Sequence, residues 1–426
     1  MSGSEIGSLK GHLSRRSFLA LGITGLTMNA NPSGKAPAAS QQPTVTTPET
    51  VYDDDWSAIR AQFITRPGVT FMNNASIGVP PEVVTRAVAH GYEAMSRDPI
   101  LAKLELSHRI QNRVLPNLAR ILGAHAKEIA LTRNASEALH LAATGLRLEP
   151  GDEVLLTTQE HPSGLRPWRY RAARHGIIAT EVSIPSPFEQ EDVVVERIAG
   201  HMTHRTRAIA FCHVTRGGHL YPVQRLASFA RERGIITIVD GAQAIGMMPV
   251  NLHEIGCDAY AASLHKWMLG PIGTGMLYVK ESSRKYFRSV YNEESTPEQP
   301  NFEPTGTVDL PVRAALDAAL SFIDTIGLQA IERRNRYLSN YLKSRLWKMS
   351  SMRVLSGPTD KTSAPGSTIF EMKNVDSVTA VKVLADRKFI HIDEHQRDGH
   401  NAIRVSTHFY NTVDEIDRVV TALQQL

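Results

Sequence analysis

Ile235-Ile236-Thr237-Ile238-Val239-Asp240-Gly241-Ala242-Gln243 and Ser263-Leu264-His265-Lys266-Trp267 decide how this chain reads; the second runs on into Gly270-Pro271-Ile272-Gly273-Thr274-Gly275. The first is a β-branched run ending in aspartate, so a buried strand delivers Asp240 at its carboxyl end. The second sets a lysine among a serine, a histidine and glycines. A lysine becomes a good nucleophile when burial or a nearby cation lowers its pKa. Lys266 is therefore expected to hold an aldehyde cofactor as a Schiff base. Asp240 is expected to keep that cofactor's ring nitrogen protonated, so that the ring accepts electrons from a substrate Cα. Gln243 is placed to donate to the ring's phenolate oxygen. Ser263 and His265 offer an O–H and an N–H to a phosphate, and the glycines let the backbone approach it closely. A dinucleotide fingerprint is not met, because the glycine run leads into a strand and not a helix.

Upstream, strands and helices alternate. Strands are expected at Glu128–Thr132, Asp152–Thr157, Gly176–Val182, Thr206–Val214 and Ile235–Asp240, and a further one at Met276–Val279. This pattern predicts an α/β fold with a mostly parallel sheet covered by helices on both faces. Ligands of such sheets bind beyond the carboxyl ends of the strands. Asn134, His161, Thr215 and Asp240 each follow a strand end, so they are expected at one edge. The turn Arg133-Asn134-Ala135-Ser136-Glu137 opens a helix and suits either a phosphate or an ordinary N-cap. His161 reads either as a ring-stacking residue or as a plain loop histidine. Arg404, between Ile403 and Val405, reads as a carboxylate clamp or as half of a structural salt bridge. Helices are expected at Leu104–Leu122 and, as one long region, from Val312 to about Lys348.

The formal charge is +4, of which residues 1–39 carry +3. The near-neutral remainder and the absence of a basic run give no reason to expect a nucleic-acid partner. A hydrophobic fraction of 42% against 21% charged residues suits a globular enzyme. Cys212 and Cys257 are expected as buried thiols, and no Cys/His spacing suggests a metal. Ser14-Arg15-Arg16-Ser17-Phe18-Leu19 is a twin-arginine pattern, followed by a short apolar stretch to Met28 and a Pro/Ser/Ala/Thr/Gln-rich linker. It predicts export of the folded protein to the periplasm by the twin-arginine machinery. The expected organisation is a signal peptide and linker over 1–39 and an N-terminal segment over 40–75. A large cofactor-binding domain follows over 76–311 and a small α+β domain over 312–426.

The set Asn73-Asn74-Ala75, Thr132-Arg133-Asn134-Ala135-Ser136-Glu137, Glu160-His161, Val239-Asp240-Gly241-Ala242-Gln243, Ser263-Leu264-His265-Lys266, Gly306-Thr307 and Arg404-Val405-Ser406 through Thr412 resembles the class V aminotransferases, fold type I enzymes dependent on pyridoxal 5′-phosphate (PLP). The resemblance spans roughly residues 50–426. It implies a large domain with a seven-stranded type of mostly parallel sheet and a smaller C-terminal domain. It implies that Lys266 carries PLP and shuttles protons, Asp240 holds the ring nitrogen, Gln243 lies near its phenolic oxygen and His161 stacks on it. Ala135, Ser136, Ser263 and His265 would bind the phosphate. Thr307 would reach the phosphate of a partner subunit, which implies a homodimer. Asn74 and Arg404 would face the substrate.

Cysteine desulfurases of the family use a cysteine in the C-terminal domain. This chain has no cysteine after Cys257, and its Asn-Asn-Ala-Ser start looks more like isopenicillin N epimerase-like members. Joined to the twin-arginine pattern, the resemblance implies a periplasmic member that modifies the glutamate of a pyoverdine siderophore precursor, by oxidative decarboxylation to succinamide. The alternatives are an epimerase, a β-lyase or an aminotransferase on a small amino acid. From another class, the alternative is a catalytically idle binding protein that keeps the cofactor.

Overall fold

The computed structural model describes residues 53–426, except 189, 292–301, 304–305 and 358. The twin-arginine pattern, the apolar stretch after it and the linker lie outside the described residues. A short strand, β1 (Thr70–Phe71), comes first. Seven further strands form the main sheet: β2 (Ile129–Thr132), β3 (Glu153–Thr157), β4 (Ile178–Val182), β5 (Thr206–Cys212), β6 (Ile236–Asp240), β7 (Ala259–Ser263) and β8 (Gly275–Val279). Their order is β2-β8-β7-β6-β5-β3-β4, and β8 alone runs against the others. The expected mostly parallel sheet is thus present. Both faces are covered, so the strands read as continuous apolar runs; β3, β7 and β8 are buried throughout.

Side chains alternate between two cores. Ile209 and Phe211 point to one, Ala208 and Ala210 to the other. The second face is built of small residues, with Ala259 and Ala261 next to Ala138 and Ala142 of the helix Ala135–Gly145. That choice lets the helix lie close to the sheet. A Cβ on Gly275 would meet the Asn134 Cα at 2.5 Å, so glycine there is what brings the helix start against β8.

A second, four-stranded antiparallel sheet follows, built from β9 (Met352–Val354), β10 (Ser367–Met372), β12 (Asp393–Arg397) and β13 (His400–Ser406) in the order β12-β13-β10-β9. The short β11 (Ile390–His391) pairs in parallel with β1. Its own core holds Leu338, Leu342 and Leu346 of the helix Leu328–Leu346, together with Phe370 and Leu384. Met72 belongs to this core as well, so the segment before residue 76 is stitched into the C-terminal part of the fold.

The helix expected over 104–122 begins earlier, at Pro99, where Asp98 caps it by accepting from the Leu101 N–H at 3.0 Å. It widens to a π-helix over Ile110–Val114, just ahead of Pro116, which has no N–H to continue a regular ladder. The region expected as one long helix from residue 312 is three: Leu310–Ala314, Leu316–Ile326 and Leu328–Leu346. Gly327, at φ +86°, makes the second break. Both cysteines are buried and free. Among the described residues no single helix is long and apolar enough to cross a membrane.

Candidate active site

The carboxyl ends of β3, β5, β6 and β7 open into one cavity of about 350 Å³. Lys266, Asp240, His161, Ala135, Ser136, Ser263, Gln243 and Arg404 all line it. They come from the loop after β3, the helix after β2, the ends of β6 and β7, and β13 of the small sheet.

Lys266 sits on a loop held from several sides. The Gly78 N–H donates to the His265 carbonyl at 2.9 Å, and a Cβ on Gly78 would stand 2.1 Å from the Lys266 carbonyl oxygen. Trp267 is wholly buried; its Nε1–H donates to Gln243 Oε1 at 2.8 Å, while its carbonyl meets His408 Nε2 at 2.9 Å. Burial is the main force on the Lys266 ammonium. With the repulsion of Arg404 it outweighs the attraction of Asp240 and brings the pKa down to about 8. A neutral amine is therefore accessible near physiological pH, as the proposed chemistry needs.

Asp240 ends β6 and is buried, with Oδ1 accepting from the Ala242 N–H at 2.9 Å. Burial raises its pKa against the pull of that N–H and of Lys266. A protonated ring nitrogen beside it would supply the cation that would hold it ionised. Gln243 is fixed at both ends, its Nε2 donating to the Ala75 carbonyl at 2.8 Å and its Oε1 receiving Trp267.

At the other end, the Ala135 N–H donates to Ser263 Oγ at 2.9 Å, and Ser136 Oγ lies 2.7 Å from Ser163 Oγ. Asn134 caps this helix, accepting from the Glu137 N–H at 2.9 Å. The ordinary N-cap and the anion cradle therefore coexist. Hydroxyls of Ser136, Ser163 and Ser263 at a helix N-terminus suit a phosphate. A buried carboxylate at one end, an accessible lysine and a hydroxyl-lined helix start at the other are what PLP requires.

His161 caps the helix Pro162–His175, its Nδ1 accepting from the Ser163 N–H at 3.2 Å. It lies on the open side of the cavity. Loss of water around the ring, then the charges of Lys266, Arg216, Arg397 and Arg404, push its imidazole down to about 4. It is neutral and free to lie flat on an aromatic ring.

Two expected residues are placed elsewhere. Asn74 is fully buried behind the cavity, where its Oδ1 accepts from the Tyr410 hydroxyl at 2.9 Å; its neighbours Ala75 and Ser76 line the cavity instead. His265 is not part of the lining, and its Nδ1 is engaged by the Thr274 carbonyl at 3.0 Å. Thr307, expected to reach the phosphate of a partner subunit, is exposed and outside this chain's own cavity.

The sequence reading missed Gln159, Ser163, Arg216 and Asp393 in the lining. Arg216 had a usable signal, a cation two residues past the expected strand end at Val214 and just before Gly217-Gly218. Asp393 had none, since β12 is Asp-Glu-His-Gln-Arg and shows no apolar alternation. The β12–β13 hairpin reaches over the site. Arg397 donates to the carbonyls of Thr158 and Glu160, and Gln159 Nε2 donates to Asp398 at 3.0 Å. Arg404, 4% exposed, donates from Nη2 to Asp393.

Glu160, next to His161, is buried. Its Oε1 accepts from Thr157 Oγ1 at 2.6 Å and from the Cys212 N–H at 3.1 Å. Burial, aided by the charge of Asp240, pushes its pKa up to about 8 against the Thr157 hydrogen bond. The folded protein therefore keeps a proton that the unfolded chain gives up near 4.5, so this group's contribution to stability falls as pH rises from about 4.5 to about 8. Glu160→Gln should remove that dependence. Thermal melts from pH 5 to pH 8 are expected to show the variant gaining on the wild type as pH rises; parallel curves would refute it.

A family model described as aminotransferase class-V matches residues 69–419. The chain belongs to the class-V aminotransferase family. It is a PLP-dependent enzyme, and Lys266 and Asp240 lie in one cavity. Among its relatives, isopenicillin N epimerase of Amycolatopsis lactamdurans is 32% identical over 401 residues, covering 87% of this chain and 98% of that one. A probable cysteine desulfurase of Synechocystis sp. is 28% identical, covering 84% and 90%. Among solved structures, the cysteine desulfurase CsdA of Escherichia coli superimposes with a TM-score of 0.77 at 24% identity, over 88% of this chain and 98% of that one. C-DES with glycine covalently linked to its PLP cofactor gives 0.76 at 24% identity, over 85% and 98%. These likenesses establish the fold type I architecture.

Proposed function

We propose that this class-V enzyme acts at Cα of an amino acid or N-terminal residue bearing a free α-amine and α-carboxylate, and that its substrate is the glutamate of a pyoverdine siderophore precursor in the periplasm. The observation that carries the amino-acid reading is the meeting of Lys266, Asp240 and Arg404 in one cavity. Bound PLP supplies an aldehyde that condenses with amines and a ring that takes up the electron pair left when a bond at Cα breaks. Lys266, its pKa near 8, takes and returns a proton at Nζ. The Asp240 carboxylate holds a proton at the ring nitrogen. Arg404 binds the α-carboxylate, His161 forms one wall, and Ser136 and Ser263 hold the phosphate.

The siderophore reading rests on the twin-arginine pattern at 14–19 joined to the family membership. Oxidative decarboxylation balances with dioxygen as the oxidant: the amino acid and O₂ give the one-carbon-shorter amide, CO₂ and water. A persulfide route is disfavoured. Cys212, at the cavity floor, is buried and its thiol is raised well above its ordinary pKa, and Cys257 lies in the core. A homodimer accords with the architecture and with a Thr307 that is exposed outside this chain's own cavity.

Purified protein given siderophore precursor is expected to consume oxygen and release CO₂. Mass spectrometry of periplasmic intermediates from a strain lacking the protein should show the unmodified glutamate. An unchanged siderophore side chain would overturn the substrate, and a protein recovered whole in the cytoplasmic fraction would overturn the address. A second reading, epimerisation, is favoured by the 32% identity to isopenicillin N epimerase. It predicts racemisation of a small amino acid without oxygen uptake.

A further inference from the structure

Arg404 is the carboxylate clamp of the reading above, and it is already engaged. Asp393, its cross-strand partner in the β12–β13 pair, accepts from Arg404 Nη2 through Oδ2. The same Oδ2 lies 3.6 Å from Nη2 of Arg216. Arg216 comes from the turn after β5, so it belongs to the large sheet, whereas Asp393 and Arg404 belong to the small one. Arg216 also donates to the Glu394 carbonyl at 3.0 Å and to Glu394 Oε1 at 3.1 Å. All three of Arg216, Asp393 and Arg404 line the cavity that holds Lys266 and Asp240.

A guanidinium offers a carboxylate two flat, two-point faces, Nε with Nη2 and Nη1 with Nη2. Both include Nη2, which carries one N–H on each face, and the Asp393 carboxylate lies against it. The Arg404 Nε is buried and has no hydrogen-bond partner among the described residues, so the pairing with Asp393 leaves the clamp incompletely satisfied. A substrate carboxylate seated on either face therefore stands beside the Asp393 carboxylate, and the two anions compete for the Arg404 charge. Burying Arg404 without any anion would be costly, which explains why an internal carboxylate sits there at all. Giving that carboxylate up costs less where a second cation is within reach, and Arg216 is that cation.

We propose that Asp393 is an internal competitor for the carboxylate clamp of this enzyme: it holds Arg404 until a substrate carboxylate displaces it, and Arg216 receives it. The inference rests on the assignment of Arg404 as the clamp. It follows that ligands without a carboxylate leave the Asp393–Arg404 pair in place and gain nothing from Arg404. The pair therefore lowers the affinity of carboxylate ligands and leaves that of uncharged ones unaffected, because only the former compete for Arg404.

The test uses PLP-loaded protein and the probe propionate, which has a carboxylate and no amine, with propionamide as the uncharged control; binding is read by calorimetry. Removing the competitor in Asp393→Asn is expected to tighten propionate about tenfold while leaving propionamide unchanged. Removing the receiver in Arg216→Gln is expected to weaken propionate about fivefold, and that loss should vanish in the double variant. Weaker propionate binding in Asp393→Asn would show that Asp393 merely props Arg404 in place, and would overturn the proposal. An undiminished Arg216→Gln effect in the Asp393→Asn background would overturn it too, since Arg216 would then touch the ligand itself. Arg404→Gln separates the two levels. Unchanged propionate binding there sinks the clamp assignment, whereas lost binding there with either contrary result above sinks the handover alone. Asp393→Ser serves as a second variant if the asparagine form does not fold, with the visible band of the bound cofactor confirming an intact site.

Discussion

Lys266→Ala is expected to abolish the visible absorption band of lysine-bound cofactor and to lower turnover on the order of 10⁴-fold. Two losses combine in this single change. The amine that would link the cofactor is gone, and so is the Nζ that takes and returns the proton at Cα. The environment makes the effect specific to this lysine. Lys343 is also buried, with a pKa lowered to about 8, yet its Nζ donates to Ser363 Oγ at 3.0 Å, outside the cavity. Lys343→Ala should therefore keep the band. Spectra of the two purified variants decide the matter: a band that persists in Lys266→Ala would refute the assignment.

Asp240→Ala is expected to rank second, with a loss of about 10³-fold in turnover and weakened retention of the cofactor. The carboxylate is buried at the end of β6 and receives one backbone N–H, from Ala242. Without it no anion holds a proton on the ring nitrogen, and the ring becomes a poorer electron acceptor. Asp240→Asn is nearly the same size and should lose almost as much activity while keeping the fold. Turnover and cofactor content measured on both variants test this. Activity of Asp240→Asn near the wild type would mean that shape, not charge, is what the site needs.

Much of the fold was legible because its signals are local. Strands covered on both faces are short apolar runs, and each ends where a polar or glycine-bearing turn begins, as at Asp240-Gly241 and Ser263. The gathering of residues at one sheet edge followed from the same logic, since parallel strands put all their carboxyl ends on one side. Helix boundaries were less legible. The widening at Ile110–Val114 and the break at Gly327 depend on how neighbouring turns accommodate one proline and one glycine.

Asn74 shows where local reading stops. Its segment does reach the cavity, but the bridge between Asn73 and Ser406 and the bond from Tyr410 turn Asn74 inward and leave Ala75 and Ser76 facing the site. Side-chain direction along an extended segment is set by register, and register comes from the partner strand.

By itself the sequence determined that a lysine and an aspartate would emerge from successive strand ends beside a helix start able to take a phosphate. Each of those features is built within a few residues of chain. Only the tertiary structure decided what faces Arg404. Asp393 lies 11 residues upstream on a polar strand, and Arg216 lies in the turn after β5 of the main sheet. Their meeting depends on the β12–β13 register and on the packing of the small sheet over the large one, and neither leaves a periodicity in the sequence.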